Sequence, residues 1–167
     1  FTSSSHYTNG EFQNLSPTPN MKEGVSIFSV MWRFFFSDKK RNKPKNTLPS
    51  VKNDLKSIGK DRNVLVWFGH SSYFLQLDGK TFLMDPVLSG SASPIKMTTK
   101  SYTGSDVYHV EDFPNIDYLL ISHDHYDHLD YETIKTLQPK VSQVITGLGT
   151  GAHFEYWGYA PDKIIEK

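Results

Sequence analysis

The feature that constrains this chain most is a run of histidines and carboxylates directly after a short apolar stretch. Residues 116–121 (Ile-Asp-Tyr-Leu-Leu-Ile) have the length and composition of a buried strand, and His123-Asp124-His125-Tyr126-Asp127-His128 follow after one serine. In an extended segment His123 and His125 point the same way, while Asp127 and His128 lie where the chain turns. Neutral imidazole and carboxylate are ligands that zinc accepts. The run therefore predicts two adjacent metal ions, one on His123 and His125, the other on Asp127 and His128.

Composition narrows the class of protein around this motif. A length of 167 residues is enough for one domain with a real core. Lys and Arg together number 18, as do Asp and Glu, so net charge gives no reason to expect nucleic acid as a partner. The chain has no cysteine, so any metal site must use histidine and carboxylate. The chain begins with Phe1 rather than Met, so we expect that the natural start, with any signal, is missing, and the compartment (cytoplasmic, periplasmic or membrane-associated) stays open.

Residues 1–60 have the composition of an arm, an apolar helix and a linker. Residues 1–22 predict irregular turns, and residues 25–36 predict a helix that is too short for a bilayer span. A basic cluster at 39–45 follows, and residues 51–58 predict a short helix. We expect this segment to pack on a main domain at 61–167. Contact of the aromatic helix with a membrane surface or a lipid substrate is the alternative.

The next strands bring a second acidic residue to the edge where the motif lies. Strands are predicted at 63–68, 73–77 and 80–84, the last two joined by Asp78-Gly79, a strong hairpin signal. The third strand ends at Asp85. A long loop then covers 87–115, a length that is usually functional or mobile, and it could border a substrate cleft. His109, within this loop, is expected to be exposed to solvent.

After the motif the pattern is strand and helix again. A helix is predicted over 131–137, with Asp130 either as its cap or as a partner of a ligating histidine, and a strand over 141–146. Residues 147–152 match G-x-G-x-x-A, but a dinucleotide fingerprint should open the first βαβ unit, and this one follows four strands. Nucleotide binding is therefore rejected. His153 is expected to have a structural role, and residues 162–166 predict the start of another strand.

The spacing H-x-H-x-D-H resembles the signature of the metallo-β-lactamase fold superfamily of hydrolases. Further segments are similar to the branch that contains N-acylphosphatidylethanolamine-hydrolysing phospholipase D and bacterial proteins of the RomA type. These segments are Gly69-His70-Ser71-Ser72 with the strand after it, residues 9–14, Leu48-Pro49, Ala92-Ser93-Pro94 and residues 151–159. The resemblance thus covers nearly the whole chain.

The resemblance implies a fold and a ligand set. The fold is an α/β, αββα metallo-β-lactamase-like sandwich of which this chain is the N-terminal half only. The missing C-terminal half, in the same protein or as a second chain, would supply a further histidine, a bridging aspartate and a last histidine. In the family an aspartate at the position of Asp85 supports the metal-binding loop rather than ligating metal, and His70 lies near the pocket. Asp85, His70 and Asp130 are therefore expected to be supporting residues.

The resemblance also implies an activity. Two zinc ions, or other divalent transition metals, would hold a hydroxide that attacks phosphorus or carbonyl carbon, with Asp127 also orienting the nucleophile. The leading hypothesis is a phospholipase D-like phosphodiesterase with a phospholipid-like substrate. A lactonase or another carbonyl hydrolase is the nearest alternative. A metal-binding or regulatory module without turnover is the alternative of another class.

Overall fold

The structure is a computed structural model that describes residues 3–19, 21–37, 43–95 and 99–167. The chain divides into two compact units, Phe1–Lys45 and Asn46–Lys167. The first unit contains a two-stranded antiparallel hairpin, β1 (Tyr7–Thr8) and β2 (Glu11–Phe12), and one helix, α1 (Ile27–Phe36). Asn9 and Gly10 both have positive φ, which is the conformation that a tight hairpin turn requires.

Helix α1 forms where the apolar run predicts a helix. Ser26 caps it, because its side chain accepts a hydrogen bond from Ser29 N at 3.3 Å. None of its residues is buried. No helix in the described ranges is long and apolar enough to cross a membrane. The packing of this segment on the main domain stays a prediction, and the lysines and arginine at 39–41 lie outside the described residues.

The second unit is built on one six-stranded sheet in which the strands follow their order in the sequence. The first three strands are antiparallel, and the next three run parallel to the third. The strands are β3 (Val64–Gly69), β4 (Ser72–Leu77), β5 (Lys80–Met84), β6 (Ile116–Ile121), β7 (Val141–Thr146) and β8 (Ile164–Glu166). The predicted strands and the begun strand at the end of the sequence are confirmed.

One face of this sheet carries the core. Because side chains alternate along a strand, one row of paired residues crosses the sheet on this face: Val66, Phe74, Leu83, Leu119, Val144 and Ile164. The four central side chains of this row are fully buried. Two helices, α2 (Tyr131–Leu137) and α3 (Gly151–Tyr156), contribute Ile134, Leu137 and Phe154 to the same core. The helical layer therefore lies on this face.

The other face of the sheet is largely apolar, and its side chains are partly exposed. Its apolar side chains form two rows that cross the strands: Leu65–Leu75–Phe82–Tyr118, which continues to the polar Gln143, and Trp67–Tyr73–Met84–Leu120–Ile145. We call these residues the open face. Leu65 and Trp67 are exposed over more than half of their surface, and the other members are half-buried. The six-stranded sheet and the helical layer on its buried face correspond to two of the four layers of an αββα sandwich.

Local geometry confirms the hairpin prediction and corrects one helix. Asp78 and Gly79 both have positive φ in the β4–β5 turn. The helix predicted over 51–58 is wrong in extent, because only Leu55–Ser57 form a single 3₁₀ turn. Asp54 caps that turn by accepting from Lys56 N at 3.0 Å, and the residues before it are not helical.

Candidate metal centre

The ends of β5 and β6 bring the predicted site residues to one edge of the sheet. These strands are parallel neighbours, so the residues that follow them meet at the same edge. Asp85 N, just past β5, donates to Leu120 O at 3.0 Å. The motif 123–128 begins two residues after the end of β6. Sheet topology therefore places Asp85 against the start of the motif, although 37 positions separate it from Ser122.

Asp85 anchors His128. The aspartate is almost fully buried, and its Oδ2 lies 2.8 Å from His128 Nδ1. The same carboxylate accepts from Ser122 N at 2.8 Å and from Ser122 Oγ at 2.7 Å. Because an ionised carboxylate only accepts, the hydrogen of His128 belongs on Nδ1, which leaves the Nε2 lone pair directed elsewhere. This is the arrangement that prepares a histidine to bind a metal. The geometry thus agrees with a supporting position for Asp85.

The Nε2 side of His128 faces two further donors. His70 Nε2 lies 3.3 Å from His128 Nε2 and 3.2 Å from Asp127 Oδ2. His128 Nε2 and Asp127 Oδ2 are 3.8 Å apart. One ligand atom from each of these three residues lies within 4.8 Å of the others, a spacing that suits a shared ion. His70, expected beside the pocket as a supporting residue, therefore has its ring nitrogen within the donor group itself.

His123 and His125 lie next to this group. The ring centroids of His123 and His125 are 4.5 Å apart, and those of His123 and His128 are 3.9 Å apart. Ser122 Oγ lies 2.9 Å from His123 Nδ1 and 3.2 Å from His128 Nδ1. The three imidazoles of the motif are thus gathered at one place. His123 and His125 are not part of the three-donor group found among the described residues.

Two residues of the site have an unusual backbone. Asp85 has φ of 41° and His70 has φ of 48°, the left-handed region that non-glycine residues adopt rarely. Such conformations cost free energy and persist where surrounding contacts fix them, which is common at functional sites. At Asp85 those contacts include Ser72 Oγ, which donates to its carbonyl. A bulge between Trp67 and Gly69 precedes His70 and directs the chain away from the strand.

The remaining predicted residues are not members of the three-donor group found in the described part of the chain. Asp130 stands at the start of α2, but its side chain makes no capping hydrogen bond to the helix. It accepts instead from Ser89 N at 3.0 Å and from Thr133 Oγ1, and so fixes the loop after β5 to α2. His109 is exposed, as predicted. His153 stacks on Trp157 with ring centroids 5.6 Å apart, which agrees with its predicted structural role.

The glycine-rich segment after β7 binds a side chain of the chain itself. Gly149 N and Gly151 N donate to Glu166 Oε1 at 2.9 and 2.7 Å. A phosphate bound as in a dinucleotide site would need such amides. Their engagement by Glu166 supports the rejection of nucleotide binding. Sequence reasoning did not find this contact, nor the contact of Ser71 Oγ with His128 Nδ1 at 3.0 Å, because a lone Glu or Ser carries no spacing signal.

Comparison with known proteins assigns the family. Residues 64–160, which contain the sheet edge and the motif, match the family model described as "Beta-lactamase superfamily domain". The chain belongs to the beta-lactamase superfamily. The superfamily match covers every predicted site residue, and the sheet with its helical layer has the α/β architecture that the sequence predicts.

Several relatives and one solved structure are similar to this superfamily member. An uncharacterized protein of Mycobacterium tuberculosis is 30% identical over 165 residues, which are 98% of this chain and 44% of that protein. The chain therefore spans less than half the length of this relative. An N-acyl-phosphatidylethanolamine-hydrolyzing phospholipase D of Caenorhabditis elegans is 37% identical over 76 residues, 42% of this chain and 20% of the relative.

A metal-dependent hydrolase of Hyperthermus butylicus is 34% identical over 102 residues, 59% of this chain and 38% of the relative. The structure of CmlA, a diiron β-hydroxylase from Streptomyces venezuelae, is 31% identical with a TM-score of 0.43, and the match covers 62% of this chain and 20% of CmlA.

Proposed function

We propose that this chain carries half of the active site of a metal-dependent hydrolase that cleaves phosphodiesters. The observation that carries the proposal is the convergence of His70, Asp127 and His128, with His128 Nδ1 held by the buried Asp85. Names of two relatives, a metal-dependent hydrolase and a phospholipase D, support a hydrolase and a phosphodiester substrate. The phospholipid-like substrate is the finer part of the proposal, because a fold does not fix a substrate.

The donor set suits a pair of divalent transition ions, and zinc is the ion we propose. Imidazole and carboxylate also suit iron, so metal analysis decides the identity. His123 and His125 would hold one ion, and Asp127 and His128 the other. When bound, such ions supply a hydroxide nucleophile at neutral pH and stabilise the negative charge that develops on the substrate.

Side chains of this chain would orient the metal ligands and the nucleophile. Asp85 fixes the tautomer and the ring orientation of His128 through its hydrogen bond to Nδ1. Ser122 Oγ donates to Asp85 Oδ2 and keeps that carboxylate in place. Asp127, whose side chain is less than half exposed, presents its carboxylate to the same space as His70 Nε2 and would orient the nucleophile.

The open face of the sheet supports the proposal that a C-terminal half completes the protein. Two rows of apolar side chains cross this face, and Phe82 and Tyr118 stack on it with centroids 5.1 Å apart. A contiguous apolar surface of this kind is rare on a protein that functions alone. A second sheet packed there would give the αββα sandwich and bring the remaining ligands. We call this chain together with that half, either as one polypeptide or as two, the joined protein.

A dye assay tests the open face. The dye 1-anilinonaphthalene-8-sulfonate fluoresces on apolar surface, so we expect strong fluorescence with the 167-residue chain and much weaker fluorescence with the joined protein. The substitution Trp67→Gln should weaken the signal of the isolated chain, whereas Tyr156→Gln, on exposed α3 surface, should not. Equal fluorescence of the chain and the joined protein would contradict the proposed packing.

Substrate hydrolysis tests the activity. The joined protein should hydrolyse bis(p-nitrophenyl) phosphate faster than it opens lactones, and the reverse order would favour the lactonase alternative. Asp127→Ala should abolish turnover with little loss of folding, because Asp127 is not in the core. Asp162→Ala, an exposed aspartate in a 3₁₀ turn, is the matched control and should retain turnover. Metal binding without turnover of either substrate would favour the regulatory module.

A further inference from the structure

A cavity lies beside the metal-binding motif. Its volume is about 360 Å³, within the range of small-molecule sites. The loop after β5, the motif, the start of α2 and the helix α3 form its walls. It adjoins the motif, since Asp124 and Tyr126 are among its lining residues.

The motif contributes two residues to the lining of this cavity. Asp124 and Tyr126 line it, and the histidines of the motif do not appear in its described lining. Three of the four proposed metal ligands, His123, His125 and Asp127, are their immediate neighbours in the sequence. The segment 124–129 is a turn, in which His128 N and Leu129 N donate to His125 O. Substrate bound to the metals would therefore have this cavity as a neighbour.

Half of the twelve described lining residues carry a phenol, an indole or a carboxylate, and the others are three serines, Pro94, Leu129 and His153. Tyr126, Tyr131 and Trp157 contribute rings, and Asp124, Asp130 and Glu132 contribute carboxylates. Neither lysine nor arginine occurs in the lining that the described residues form. Aromatic faces attract cations, and quaternary ammonium groups are recognised by cages of such rings. The surrounding carboxylates add attraction of the same sign.

Neighbouring contacts hold two of these rings in place. Tyr131 and Trp157 meet edge to face with centroids 5.2 Å apart, and Trp157 also stacks with His153. Lys135, outside the lining, donates a hydrogen bond from Nζ to the Tyr131 hydroxyl at 3.0 Å. A preformed aromatic wall loses little conformational entropy when a ligand binds.

We propose that this cavity binds an ammonium group of the substrate, so that the hydrolase selects phosphodiesters with a cationic head group. The inference rests on the proposed function for its assignment to substrate, while the binding itself depends only on the cavity. The chemistry is that of a quaternary or primary ammonium, whether it belongs to a lipid or to a soluble diester.

Binding of choline to the joined protein tests the cavity. The neutral isostere 3,3-dimethylbutan-1-ol has the same shape and hydroxyl without the charge. Calorimetry should show choline binding roughly tenfold or more tightly than the isostere. Tyr126→Leu and Asp124→Asn should each weaken choline binding roughly fivefold, while Tyr156→Leu and Glu155→Gln, exposed residues of α3 outside the lining, should leave it unchanged. Circular dichroism checks that each variant folds.

Two outcomes would overturn the inference: equal binding of choline and its isostere, or wild-type choline binding in both cavity variants. Hydrolysis of bis(p-nitrophenyl) phosphate, which carries no ammonium, is measured in parallel. Turnover without selectivity for choline refutes the proposed ammonium site and leaves the proposed hydrolase activity intact. Selectivity for choline without turnover refutes only the proposed hydrolase activity. Glycerophosphocholine and phosphatidylcholine vesicles then separate the sources: whichever competes with choline identifies a soluble or a lipid head group, and competition by neither refutes the proposal.

Discussion

Replacing Asp85 by Asn should impair metal binding while leaving the backbone intact. Asp85 has φ of 41°, a region that Asn tolerates as well as Asp does, so the substitution adds no backbone strain. Its carboxylate accepts three hydrogen bonds, from Ser122 N, Ser122 Oγ and His128 Nδ1. Asn has one acceptor oxygen, and its amide group would place a donor against one of these three donors.

The magnitude follows from burial. The side chain of Asp85 is 2% exposed, so water cannot replace a lost partner. An unsatisfied buried donor costs about 1–3 kcal/mol, which should appear in the free energy of unfolding measured with urea. Loss of a carboxylate behind a ligating histidine typically lowers metal affinity about tenfold to a hundredfold. Competition with a chromophoric chelator, performed on the joined protein loaded with zinc, measures that affinity.

Asp78→Asn is the matched control. Like Asp85, Asp78 has a positive φ. Unlike Asp85, it is exposed and lies in the turn at the opposite end of β5. We expect wild-type zinc affinity and wild-type stability from this variant. Zinc affinity of Asp85→Asn within twofold of wild type would refute the reasoning that Asp85 orients His128.

Three further predictions concern ligands, core and pH. His123→Ala should reduce the zinc content of the joined protein by about one ion, while His153→Ala should not, as checked by elemental analysis. Leu119→Ala, at the centre of the buried row, should lower the free energy of unfolding by about 2–5 kcal/mol in urea titrations, and no loss would contradict its placement in the core. Burial raises the pKa of Tyr159 above its ordinary value of 10.0. The neutral phenol therefore makes its full contribution to the free energy of unfolding below pH 10. That contribution is lost as the pH rises further. Tyr159→Phe should remove that alkaline loss from the stability profile, and should cost about 1 kcal/mol at neutral pH through the bond to Ile134 O.

Sequence patterns predicted the sheet well because its signals are local. The Asp78-Gly79 turn, the apolar run 116–121 and the strand at 141–146 each depend on a few adjacent residues. The metal-binding motif is local as well, since its donors occupy six consecutive positions. The helix predicted over 51–58 failed because a weak apolar pattern cannot reveal that only a capped 3₁₀ turn forms.

The site could be predicted only in part, because its partners meet through the topology of the sheet. His70 is 57 positions from Asp127, and nothing local shows that a bulge in β3 turns its ring toward the motif. The resemblance suggested that His70 lies near the pocket, but not that its Nε2 belongs to the donor group. Likewise, Asp130 looked equally suited to capping and to supporting a histidine, and the structure shows it bonded to Ser89 and Thr133.

The central claim is that the segment 123–128 holds half of a dinuclear metal site that a C-terminal half completes. Elemental analysis of the joined protein, after dialysis against metal-free buffer, tests it most directly. We predict two divalent ions per joined protein, and at most one after Asp127→Ala or His128→Ala. Absence of tightly bound metal, or two ions retained in both variants, would contradict the claim.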